Sequence, residues 1–144
     1  MRFSPRAVFS QTVEDAIRAL LYIAGQRGKP VRVAQVARQV RASRTYLAKI
    51  LSQLAAAEIL DSTRGPNGGF RLLAAPDTLS LTRVAAVFDC PPSRRRRCLL
   101  GLGVCGSVPD CSAHEGWAPV ATTIDGFFAG TTVSDLLRST PTLS

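Results

Sequence analysis

The chain has 144 residues, of which 46% are hydrophobic and 19% are charged, and its formal net charge at pH 7 is +8. This length and composition predict one folded domain with its own core and exclude a disordered chain. No apolar run approaches the roughly 18 residues of a membrane span. Glu14 and Asp15 interrupt the place where a signal peptide would have its apolar centre. We therefore expect a cytoplasmic protein that does not use a membrane.

The positive charge is concentrated in the N-terminal two thirds of the chain. Residues 1–90 contain thirteen Lys/Arg and six Asp/Glu, whereas residues 91–144 contain five and four. A basic module favours a polyanionic partner, because each phosphate that it neutralises releases counterions. Charge alone is equally compatible with a solvated basic surface that has no partner.

Apolar residues at helical spacing predict three helices before residue 60. The first runs from about Thr12 to Ala24, and the second lies within the segment VRVAQVARQV. Ser43 is a favourable N-cap for the third helix. The inward side chains of that helix are predicted to be Leu47, Ile50, Leu51 and Leu54. Two short helices joined by the tight turn RAS are typical of a helix-turn-helix.

The segment ILDSTRGPNGGFRLL predicts a β-hairpin, because two short apolar stretches flank a Gly-Pro-Asn-Gly-Gly tip. In isolation it would be interpreted by default as an ordinary hairpin with solvated arginines. Directly behind a helix-turn-helix in a basic domain, it is interpreted as a wing. The predicted contacts to double-stranded DNA are then Ser43, Arg44, Thr45, Tyr46, Lys49, Arg64, Gly68 and Arg71.

The second half of the chain predicts two further helices around an irregular loop. One spans Ser80 to Asp89, and a longer one runs from about His114 to Phe128. The long helix has more apolar residues than one module needs, which favours a homodimer over a helix that folds back on its own domain. We therefore expect a mainly α fold with a small β-hairpin, in three parts. These are a winged helix-turn-helix DNA-binding domain (1–89), a cysteine-rich loop (90–113), and a dimerisation helix with the C-terminal segment (114–144).

Three of the four cysteines and the single histidine lie close together: Cys98, Cys105, Cys111 and His114. Reducing conditions in the cytoplasm disfavour structural disulfides and favour metal or redox roles. A zinc knuckle normally has ligand pairs separated by two to four residues, whereas gaps of six and five residues suit a larger inorganic group. A structural zinc site and a metal-free thiol switch stay open as alternatives. Cys90 is a spare thiol, and Arg94 to Arg97 precede the first cysteine of the group.

Four segments resemble the Rrf2 family of bacterial transcription regulators over nearly the whole chain. They are AIRALLYIA in the first helix, SRTYLAKILSQLAAAEIL in the recognition helix, STRGPNGGFRL in the wing, and the cysteine loop followed by HEGW. The resemblance implies a winged-helix homodimer that regulates transcription, here as a repressor, and that senses redox state, nitric oxide or iron supply. It also implies that the protein is not an enzyme. In agreement, the sequence has no Cys-x-x-Cys pair and no Ser/His/Asp constellation.

The resemblance further implies an iron–sulfur cluster in the cysteine loop, of the 2Fe–2S rather than the 4Fe–4S type. Its ligands would be Cys98, Cys105, Cys111 and His114, with the first gap one residue longer than in the family's cluster-biogenesis regulators. Glu14 is the alternative fourth ligand, because it aligns with a carboxylate that nitric-oxide-sensing members supply across the dimer. Apart from the resemblance, Glu14 is explained by the favourable position of an acidic residue near a helix N-terminus.

Overall fold

The computed structural model describes residues 10–88 and 112–139. In chain order the elements are α1 (Gln11–Gly25), α2 (Val33–Val40), α3 (Arg44–Ala56), β1 (Leu60–Thr63), β2 (Gly69–Leu72), α4 (Leu81–Ala86), α5 (His114–Gly130) and α6 (Val133–Ser139). The strands form one antiparallel hairpin. The predicted fold class, mainly helical with a small hairpin, is confirmed.

The helix-turn-helix is formed by α2, a three-residue turn and α3. Arg41 ends α2 in the left-handed conformation with φ of 62°, and the Ala42 N–H donates to the Ala37 carbonyl at 3.0 Å. The Ser43 hydroxyl then caps α3 by accepting a hydrogen bond from the Tyr46 N–H at 3.2 Å. These local bonds satisfy backbone groups that both helix ends leave without partners, so the turn is well defined.

The core lies between α1, α2 and α3. The four predicted inward side chains of α3 are all buried, and they pack with residues from the other two helices in one cluster. The buried residues that these helices contribute to this cluster are Ala16, Ala19, Leu20, Ile23, Val36, Ala37, Val40, Leu47, Ile50, Leu51 and Leu54. Burial of this apolar face fixes the orientation of α3, so its polar face is held toward solvent.

Helix α4 is shorter than the predicted span Ser80 to Asp89. Ser80 is its N-cap, as its position suggests, and the helix ends at Ala86. The N–H groups of Val87 and Phe88 donate to carbonyls three residues back, at 3.3 and 3.1 Å. This tighter bonding pattern closes the last turn, which is common at helix ends. Asp89 lies outside the described residues.

Helix α5 ends two residues beyond the predicted Phe128, and part of its apolar stripe packs against its own chain. Phe128 is 3% exposed and packs with Val13 of α1 and Leu81 of α4. By contrast, Val120 and Phe127 are 47% and 55% exposed. The helix therefore folds back along one side and presents apolar side chains on another. Its predicted role in a homodimer stays a prediction.

Backbone hydrogen bonds also join the chain between α5 and α6 to the residues at the start of α4. The Leu81 N–H donates to Thr131 O at 3.0 Å, and the Val133 N–H donates to Leu79 O at 2.9 Å. Val133 is completely buried in the main core. No helix in the described ranges is long and apolar enough to cross a membrane.

Candidate nucleic-acid interface

The outward face of α3 is polar and open. Ser43, Arg44, Thr45 and Lys49, which are four of the predicted contacts, are all exposed. A shallow groove on this face is lined by Thr45, Ala48, Lys49, Ser52 and Gln53. Because the Ser43 oxygen accepts the capping bond, its own O–H proton can still be donated, for example to a phosphate. Side chains of this kind on an exposed helix are suited to hydrogen-bond base edges and phosphates.

Tyr46 differs from the other predicted contacts on α3, because its side chain is half-buried against the core. Its hydroxyl lies 3.4 Å from Thr12 Oγ1 at the start of α1. The ring therefore packs between the recognition helix and the first helix and bonds within the chain. Its contact with DNA stays a prediction.

The two predicted wing arginines have different surroundings. Arg64 lies just beyond β1 and is exposed. Arg71 stands opposite Asp61 in the hairpin register. Its Nε donates to Asp61 Oδ2 at 3.0 Å, and its Nη2 lies 2.9 Å from the same oxygen. Arg64 therefore presents its charge to solvent, whereas the charge of Arg71 is opposed by a carboxylate.

Gly68 is required by the internal geometry of the tip. A Cβ at this position would lie 2.2 Å from the Thr63 carbonyl oxygen, which no residue with a side chain tolerates. The Gly68 N–H donates to Gly65 O at 3.0 Å and closes the turn. This packing explains the glycine without DNA, so its predicted approach to a phosphate stays a prediction.

Two residues of this region were missed by sequence reasoning. Asp61 was not predicted, because its pairing with Arg71 depends on the register of the two strands. Arg32 was not predicted, because its side chain donates a hydrogen bond to the Pro66 carbonyl, which is 34 positions away in the chain. A register count back from the glycine-rich tip could have indicated Asp61, but no local pattern indicates Arg32.

Of the predicted metal ligands, only the two alternatives for the fourth position lie in the described residues. His114 is the first residue of α5 and is half-buried, and Glu14 is exposed in the first turn of α1. Cys98, Cys105 and Cys111 lie outside the described residues, as do Cys90 and Arg94 to Arg97. Within residues 10–88 and 112–139, no three His, Cys, Asp or Glu residues are grouped as a metal site would require.

A family model described as "Rrf2: Iron-dependent Transcriptional regulator" matches residues 9–139. The chain belongs to the Rrf2 family. An HTH-type transcriptional regulator of Aquifex aeolicus (strain VF5) is 33% identical over 133 residues, which cover 91% of this chain and 92% of that protein. The regulator IscR of Vibrio vulnificus (strain YJ016) is 32% identical over 124 residues, which cover 85% and 72%.

The fold of this Rrf2 protein is also that of solved structures. CymR, the global cysteine regulator of B. subtilis, superposes with a TM-score of 0.75 at 22% identity, covering 92% of this chain and 98% of CymR. IscR of T. potens superposes with a TM-score of 0.69 at 20% identity, covering 91% and 86%. The Rrf2 protein is therefore a winged-helix transcriptional regulator that binds DNA, and not an enzyme.

Proposed function

We propose that the protein is a homodimeric repressor that senses redox state, nitric oxide or iron supply through an iron–sulfur cluster. Cys98, Cys105, Cys111 and His114 would hold the cluster, with Glu14 as the alternative to His114. Thiolates are the usual ligands of iron–sulfur clusters, and imidazoles can replace some of them, so this donor set fits a cluster; 2Fe–2S is the type that we propose. When bound, the cluster would supply a centre that reacts with oxidants and nitric oxide. His114 suits the role because its half-buried side chain is still partly accessible. Its position as the first residue of α5 fixes its backbone in the helical conformation.

The observation that carries the proposal is the position of the cysteine segment between two packed elements. Along the chain this segment follows α4 and precedes α5. At the end of α4, Val87 and Phe88 border a groove whose other walls include Tyr46 and Lys49 of the recognition helix. A change in the segment would therefore act on side chains that share this groove with the recognition helix α3. We expect a coupling between cluster and DNA of about 1–3 kcal/mol, the usual range for allosteric proteins.

The exposed side of α5 supports the dimer. Val120 and Phe127 lie seven positions apart, so two helical turns place them on the same side of the helix. Large apolar side chains that stay exposed after a helix has folded back mark an interaction surface. A second copy of the chain would cover it, and a symmetric pair of recognition helices would read a two-fold symmetric site.

The proposal is tested on protein reconstituted anaerobically with iron and sulfide. Single alanine substitutions at Cys98, Cys105 and Cys111 are compared with the wild type and with Cys90→Ala, which is the matched thiol control. We expect iron content, visible absorption and the Mössbauer doublets of a cluster to be lost in the three variants and kept in the control. Full iron occupancy in all three would refute ligation by these thiols. Lost iron with unchanged operator affinity would refute sensing.

A second candidate is a regulator of the same fold in which these cysteines act without a cluster, as a thiol switch or a structural zinc site. The similarity of the fold to that of CymR, a global cysteine regulator, supports this second candidate. The same preparation separates the candidates, because a cluster protein is brown whereas a zinc or thiol protein is colourless. In a thiol switch, oxidation and reduction would change operator affinity in the metal-free protein.

A further inference from the structure

The wing is joined to the start of the helix-turn-helix as well as to the end of α3. Val31, just before α2, forms an isolated antiparallel bridge with Phe70 of β2. The Val31 N–H donates to Phe70 O, and the Phe70 N–H donates to Val31 O, each at 2.8 Å. Val31 is 2% exposed. The hairpin is therefore joined by a one-residue antiparallel bridge to the segment that leads into α2.

Gly69 makes this close approach possible. Its φ is +151°, a conformation that favours glycine, and a Cβ there would lie 2.6 Å from the Val31 carbonyl oxygen. Any side chain at this position would push β2 away from Val31. The bridge thus sets where the base of the wing lies relative to α2.

The next residue, Arg32, extends the connection to the wing tip. Its guanidinium Nη2 donates a hydrogen bond to the Pro66 carbonyl in the middle of the tip. The main chain of Arg32 is itself fixed, because its N–H donates to Gln35 Oε1 at 2.9 Å at the start of α2. The side chain thus joins a fixed point on α2 to the tip, only two residues from Arg64.

We infer that Arg32 is a positioning residue that holds the wing tip, and with it Arg64, in the position from which the wing contacts DNA. An exposed arginine beside a recognition element is ordinarily taken for a phosphate contact. Here the guanidinium bonds to a carbonyl of the same chain, and that bond fixes a glycine-rich tip that would otherwise lose conformational entropy on binding. The inference rests on the proposed DNA contact of the wing, and it adds a residue that acts through Arg64.

The test is a double-mutant cycle on the full-length protein. Binding of a fluorescent DNA duplex is titrated at one salt concentration for wild type, Arg32→Gln, Arg64→Ala and the double variant. Arg38→Gln removes the same charge from an exposed position on α2 and is the control. We expect Arg32→Gln to weaken binding about 2- to 10-fold, the range of one net hydrogen bond. In the Arg64→Ala background it should have almost no further effect, whereas Arg38→Gln should change affinity equally in both backgrounds.

A loss from Arg32→Gln that is equal in both backgrounds would overturn the positioning role and make Arg32 a phosphate contact. Hydrogen exchange of the DNA-free protein gives a second readout. We expect the Phe70 amide to exchange faster in Arg32→Gln than in Arg38→Gln, and equal exchange in the two would overturn the inference. If Arg64→Ala binds the duplex as tightly as the wild type does, the proposed wing contact fails and the inference fails with it. Intact binding with additive losses removes only the inference.

Discussion

The ion pair between Asp61 and Arg71 gives a sharp prediction for DNA binding. In the wild type the carboxylate opposes the charge of Arg71 at 2.9 Å, so we expect this arginine to bind phosphate more weakly than the exposed Arg64. Asp61→Asn removes the negative charge and keeps the shape of the side chain. The pair is exposed, with relative exposures of 50% for Arg71 and 37% for Asp61, so the folded state should lose at most about 1 kcal/mol.

The expected change in the salt dependence of binding follows from counting phosphates. If the freed Arg71 neutralises one more phosphate, the slope of log affinity against log salt becomes steeper by about 0.9. Between about 50 and 200 mM salt this corresponds to an additional loss of about 3.5-fold. Titrations of one duplex over this salt range measure the slope and the loss of affinity between the two salt concentrations. Asp77→Asn, an exposed carboxylate outside the wing, is the charge-matched control and should leave the slope unchanged. An unchanged slope in Asp61→Asn, or equal effects in the two variants, would refute the reasoning.

Three further predictions concern packing, pH and assembly. Gly69→Ala should lower the free energy of unfolding by about 1–3 kcal/mol through strain against Val31, whereas Gly126→Ala, with open space around it in α5, should raise it by up to about 1 kcal/mol in thermal melts. The pKa of Asp135 lies below its ordinary 3.8 because the Thr132 backbone N–H and hydroxyl donate to it. The ionised Asp135 therefore adds to the free energy of unfolding fully above pH 3.8, and this contribution is lost as pH falls through the lower pKa of the folded state. Acid titrations of the Asp135→Asn variant should lack this loss of stability. Phe127→Glu should give a monomer in sedimentation experiments, and Leu73→Glu, at a similarly exposed position just after β2, should not.

Features that depend on local pattern could be predicted from the sequence. The period of the apolar residues assigned Leu47, Ile50, Leu51 and Leu54 to the core, because a helix with one apolar face can only bury that face. Ser43 was predicted as a cap because its hydroxyl can replace a missing backbone acceptor. The glycine-rich tip indicated the hairpin for the same local reason.

Features that depend on contacts between distant segments could not be predicted. The bond from Arg32 to Pro66 needs α2 and the wing to be placed first, and the opposition of Asp61 to Arg71 needs the strand register. The apolar stripe of α5 indicated burial but did not identify the partner, and the structure divides it between α1, α4 and solvent. The three cysteines lie outside the described residues, so their role as ligands stays a prediction.

In the proposed function, the state of the cysteine segment controls DNA binding. The most direct measurement is the affinity of one anaerobic preparation for its operator, with the iron–sulfur cluster bound and after its removal, at one salt concentration. We expect the two affinities to differ by about 5- to 150-fold, which corresponds to a coupling of about 1–3 kcal/mol. Equal affinities of the two forms for the operator would contradict the claim.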